Sequence, residues 1–108
     1  MSQPMTLPTL FCKDAKTQAT FGETGPQPRF FLDSDSFKVL VVGLEAGQQI
    51  PIHPESTAMY HFLEGNGTMT VDAQEFAVEP GAVVIALAGA KRGIKADSRL
   101  VFLAAKAG

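Results

Sequence analysis

Tryptophan is absent from this sequence, and Tyr60 is its only tyrosine. A surface that stacks nucleic-acid bases draws on such rings, so that function is disfavoured. Positive charge is sparse too. Nine basic residues against eleven acidic ones give a net charge of −2, and the longest basic cluster is Lys91-Arg92. Proteins that track a phosphate backbone need more, and no nucleic-acid partner is expected. Cysteine occurs once, so Cys12 has no internal disulfide partner and a reducing compartment is the simpler setting. Cys12 stands among Leu10, Phe11 and Lys13 with no base beside it in sequence, which favours packing in a strand over a reactive thiol. Long apolar runs are missing: Ala82 to Gly89 is the longest and is far too short to span a bilayer. The opening MSQPMTLPTL has neither the basic start nor the unbroken apolar stretch of a secretory signal. No membrane partner and a cytoplasmic location are the expectations. Gly-rich phosphate loops, zinc-finger spacings and nucleophile elbows are also absent from the sequence.

What remains is a chain of 108 residues, 45% apolar and 19% charged, which fits one globular domain with a modest core. Ten glycines and seven prolines imply many tight turns and short strands. Residues 1–28 are broken by Pro4, Pro8, Gly22, Gly25, Pro26 and Pro28. They read as an N-terminal arm with one short strand at Thr9–Cys12, lying over the main domain or over a neighbouring subunit. From Arg29 onward strand follows strand: Arg29–Leu32, Ser36–Leu44, Ile50–His53, Ala58–Glu64, Thr68–Asp72, Glu75–Glu79, Ala82–Leu87, Gly93–Ala96 and Leu100–Ala105. Glu79-Pro80-Gly81 predicts a type II turn with Gly81 at positive φ. No stretch predicts a convincing helix. The class is all-β, an antiparallel sandwich or closed barrel over residues 29–108.

Val39–Val42 and Leu100–Leu103 are apolar on both strand faces. One face fills the interior, and the other needs cover from the arm or from another subunit. A homodimer is expected, with the chain's own arm as the alternative cover.

The stretch from Gly47 to Ala96 resembles the two-part signature of the cupin family, G-x5-H-x-H-x3-4-E-x6-G and G-x5-P-x-G-x2-H-x3-N. Gly47 precedes His53 at the family's spacing, and Gly65, Gly67, Gly81 and Gly89 fall at its turns. The likeness covers roughly Phe37 to Leu103. It implies a double-stranded β-helix, the jelly-roll barrel, and a metal held by three histidines and a glutamate. Here only His53 keeps its type among those four positions. Glu55 replaces the second histidine, Tyr60 or Ala58 stands for the glutamate, and Arg92 replaces the third histidine. Arginine has no lone pair to offer and stays protonated, so the usual metal is disfavoured and no cofactor is expected.

His53, Glu55, Tyr60, Phe62 and Arg92 are the candidate pocket residues. Glu55 and Arg92 could form an ion pair in the metal's place, or Arg92 could hold a ligand carboxylate, or its turn could point to solvent. His61 could complete a facial metal set with His53 and Glu55, but alternation along its strand favours an outward direction. Three functions follow. The first is a barrel that binds a small polar or anionic molecule without metal. The second is a metal-dependent enzyme of dioxygenase, isomerase or decarboxylase type using His53, Glu55 and His61. The third is a dimeric scaffold whose interior is filled by side chains.

Overall fold

The computed structural model describes residues 11–108. Nine strands carry the fold: β1 (Gln27–Asp33), β2 (Phe37–Leu44), β3 (Gln49–Pro54), β4 (Ala58–Glu64), β5 (Gly67–Val71), β6 (Gln74–Val78), β7 (Val83–Ala86), β8 (Lys91–Ala96) and β9 (Leu100–Ala107). They form two antiparallel sheets, ordered β1-β2-β9-β4-β7 and β3-β8-β5-β6. From β6 onward each strand crosses to the opposite sheet, the winding of a double-stranded β-helix. The turns match their sequence signals. Ala82 N–H donates to the Glu79 carbonyl at 2.9 Å across Pro80-Gly81, and Gly81 has a φ of 99°. At Gly65, with a φ of 81°, a β-carbon would strike the Arg99 carbonyl, so the β4–β5 turn requires glycine twice over.

Strand alternation decides what lies inside. On the five-stranded sheet the inward residues form rows across β2, β9 and β4. Val42, Phe102 and Phe62 make one row, Leu40, Ala104 and Tyr60 the next, and Lys38, Lys106 and Ala58 the outermost. The first two rows are buried and join Met69, Val78 and Ile94 of the other sheet in one core. The third row carries two lysines and forms the rim.

The outer face of β2 and β9 is covered by the chain itself. A short 3-10 turn, Ala15–Gln18, touches both strands. Beyond it Thr20 and Phe21 lie so close to Gly43 that a β-carbon there would collide with both. Gln48 Nε2 donates to the Gly22 carbonyl at 2.6 Å, and the Arg99 guanidinium sits 4.2 Å from the Phe21 ring centre. Val41 is consequently fully buried although it faces outward. On β7 Val83 and Ile85 remain 54% and 63% exposed, and Leu87 just beyond is 68% exposed.

Several expected boundaries shift. β1 begins at Gln27 rather than Arg29. β8 begins at Lys91 rather than Gly93, which places Arg92 in a strand and not in a turn. β9 runs to Ala107 rather than Ala105. Cys12 is outside any strand, and Thr9 and Leu10 of that expected strand lie outside the described residues. Among the described residues no helix is long and apolar enough to cross a membrane.

Candidate functional site

A cavity of about 260 Å³ lies between the two sheets, roofed on one side by Pro26, Pro28 and Phe30. Its walls are mainly apolar and include Leu40, Val42, Ile50, Ile94 and Phe102. Four residues with polar side chains line it: His53, Tyr60, Arg92 and Lys106. Each position follows from pairing. His53 of β3 is opposite Arg92 of β8, while Tyr60 of β4 and Lys106 of β9 come from adjacent rows of the facing sheet.

Arg92 is 1% exposed, and its guanidinium is consumed by main-chain carbonyls. Nε donates to Ala90 at 3.0 Å, Nη1 to Ser56 at 2.6 Å, and Nη2 to Leu87 at 2.8 Å and Glu55 at 3.2 Å. The Gly89 N–H also donates to the Glu55 carbonyl, at 2.9 Å. Arg92 therefore clamps the β3–β4 loop to the β7–β8 turn. Four of its five N–H donors are committed. It is buried rather than pointing to solvent, and a side-chain ion pair with Glu55, one of the alternatives, does not form. The fork is wide enough to collect several carbonyls, and the loop presents its backbone to that fork.

The Glu55 carboxylate turns instead to Lys106, whose Nζ lies 2.8 Å from Oε1. Oε1 is buried, and the Lys106 ammonium is the group beside it. Partial burial pushes the Glu55 carboxyl up, but the Lys106 ammonium, His53 and Arg92 together outweigh this. The result is a carboxyl held below its ordinary value. His53 Nδ1 donates to the Pro51 carbonyl at 2.8 Å, so in the neutral ring Nε2 carries the lone pair, 3.7 Å from Glu55 Oε2.

The five sequence candidates thus occupy different places. His53, Tyr60 and Arg92 line the cavity. Glu55 faces an outer cleft, shared with Lys38, Ser56 and Lys106. Phe62 is fully buried deeper in the core, packed on Phe102 with ring centres 5.5 Å apart. His61 is on the opposite face of β4 from Tyr60 and Phe62, opposite Leu103 and Val83. It does not join His53 and Glu55, and the three-residue metal set is not assembled.

The residues present do not fit the metal that the fold family implies. Among the described residues no three His, Cys, Asp or Glu side chains converge. Arg92 and Lys106 both line the cavity, and fixed cations repel a dication.

Lys106 is the residue that sequence reasoning missed. Continuing the alternation of β9 from Phe102 through Ala104 would have placed it on the inner face, but the strand was expected to stop at Ala105.

The cupin-domain family profile matches residues 40–105. No curated protein matches significantly. Among solved structures, a conserved Streptococcus pyogenes protein of unknown function superposes with a TM-score of 0.84 at 20% identity, covering 99% of this chain and 95% of that one. A Thermus thermophilus protein gives 0.82 at 25% identity, covering 89% and 95%. An RmlC-like cupin protein from Desulfovibrio desulfuricans gives 0.74 at 25% identity, covering 82% and 87%.

Proposed function

We propose that this chain, which belongs to the cupin domain family, uses its barrel to bind a small molecule with an apolar body and one polar or anionic end, without the usual metal. The observation that carries this reading is the cavity itself, about 260 Å³ with apolar walls and with His53, Tyr60 and Lys106 among its few polar side chains. Pockets of this make-up derive affinity from the walls and orientation from the few polar groups. The cavity also speaks against a scaffold whose interior is packed solid. Catalysis finds less support. His53 and Glu55 are adjacent, but Glu55 is engaged by Lys106 and His53 by the Pro51 carbonyl. The working form in this reading is a homodimer, with the second copy packed over the exposed apolar residues of β7.

A fluorescence or thermal-shift screen of small amphiphilic molecules against wild type and Ala104→Phe tests the binding reading. Ala104 is fully buried on the cavity wall, and a phenyl group there projects into the empty space. Ligands that bind wild type and fail to bind the filled variant support the reading. Equal binding to both proteins places the ligand elsewhere.

A further inference from the structure

We propose that the ligand is a compact, apolar-bodied monocarboxylate, and that Lys106 exchanges Glu55 for the ligand's carboxylate. This inference rests on the cavity reading above and names its ligand class.

Charge balance carries the first part. Arg92 is buried and bonds only to uncharged carbonyls. No carboxylate lies within ion-pair range of it among the described residues. Lys106 brings a second cation to the same cavity, and the Glu55 carboxylate matches one of the two. One positive charge is therefore in excess where water screens little. A single anion in the cavity restores the balance, whereas a dianion overshoots it beside Glu55.

A free donor carries the second part. Tyr60 is 4% exposed and lines the cavity, yet its hydroxyl has no hydrogen-bond partner among the described residues. The buried side-chain atoms without a partner among the described residues are Arg29 Nε and Glu55 Oε1, so the Tyr60 hydroxyl is accessible and free to donate to a molecule in the cavity. It stands one row inside Lys106 on the same sheet face. A hydroxyl and an ammonium on the same sheet face offer a carboxylate two donors.

Access carries the third. Phe30 and Lys106 line both the inner cavity and an outer cleft of about 350 Å³, so these two side chains form the wall between them. The cleft also holds Lys38, which is paired with Asp33 at 2.8 Å. An acid arriving from solvent meets a lysine-bearing rim and then Lys106, with apolar walls beyond for its body. The Lys106–Glu55 pair is part-exposed, so a ligand carboxylate can compete for the ammonium.

Amide NMR titrations of the full chain with benzoate and cyclohexanecarboxylate, beside their primary amides, test this at neutral pH. Both acids should shift residues around the cavity and bind at least about tenfold more tightly than the amides. Glu55→Gln, which frees Lys106, should tighten the acids several-fold and leave the amides unchanged. Lys106→Met should weaken the acids about tenfold and also leave the amides unchanged. Equal affinity of acids and amides in all three proteins would overturn the carboxylate inference while the apolar cavity stands. Absence of cavity shifts with all four probes would overturn both. Should Lys106→Met fail to fold, Glu55→Gln decides alone, since no gain in acid affinity overturns the exchange.

Discussion

Arg92 and Glu55 meet through the main chain: Nη2 of Arg92 donates to the Glu55 carbonyl at 3.2 Å, while the Glu55 carboxylate faces Lys106. The two residues that replace metal ligands in the sequence pattern have thus taken separate tasks. Arg92 fastens two loops together, and Glu55 sets the charge at the rim. Substitution separates the tasks. Arg92→Met leaves the Ser56 and Ala90 carbonyls without their guanidinium donor and should destabilise by about 3 kcal/mol. Arg92→Lys should recover little of this, since an ammonium lacks the planar fork that spans several carbonyls. Glu55→Gln should cost less than about 1 kcal/mol, as a partly exposed pair does. Urea melts of the three variants check the order. Similar losses for Arg92→Met and Glu55→Gln would count against the clamp.

The contrast shows what a sequence can carry. Alternation of Ala58, Tyr60 and Phe62 against Met59, His61 and Leu63 fixes the inner face of β4, and the structure buries the first three. Gly65 and Gly81 mark their turns because only glycine meets the local demand. The partners of Arg92 have no such signature. They are backbone oxygens on a turn and on a loop distant in sequence, and any residue supplies a carbonyl. Lys106 was legible in principle, since parity from Phe102 and Ala104 points it inward. A lysine near a chain end simply resembles a solvated terminus.

The pH dependence of the rim has a definite sign. The folded Glu55 carboxyl titrates below its ordinary value, so the fold favours the ionised form. Its contribution is fully present above the unfolded value of about 4.3 and is lost as pH falls through the lower folded value. The melting temperatures of wild type and Glu55→Gln should therefore differ most near neutrality and converge in acid. A gap that stays constant from pH 7 to about pH 3 would remove the pair with Lys106 from the account.

The arm depends on a missing side chain. At Gly43 a β-carbon would run into the Thr20 carbonyl and the Phe21 ring. Gly43→Ala should push this segment off β2 and part Phe21 from Arg99, at a cost of about 1–3 kcal/mol. Lys13 and Lys16 precede the displaced segment. Trypsin should cut the variant there well before it cuts wild type, while the barrel strands keep their circular dichroism. An unchanged cleavage rate would show that the arm is held by other contacts.

The proposed homodimer would form at one address. β7 is the edge of its sheet among the described residues, and it presents Val83 and Ile85 to solvent. Phe76 of β6, the edge of the other sheet, is 37% exposed and shares a cleft of about 210 Å³ with both. The exposed apolar surface therefore bridges the open edges of the two sheets, where a free strand also offers unpaired backbone groups. A second copy related by a two-fold axis would cover both features with one self-complementary contact. Ile85→Lys tests this without touching the core. In a monomer an exposed residue of this kind changes stability by no more than about 0.5 kcal/mol. In a β7-mediated dimer the buried charge splits the assembly. Wild type should sediment as a dimer with a concentration-dependent melting temperature, and Ile85→Lys as a folded monomer whose melting temperature no longer varies with concentration. A monomeric wild type would end the dimer reading. A variant that remains dimeric would move the interface away from β7.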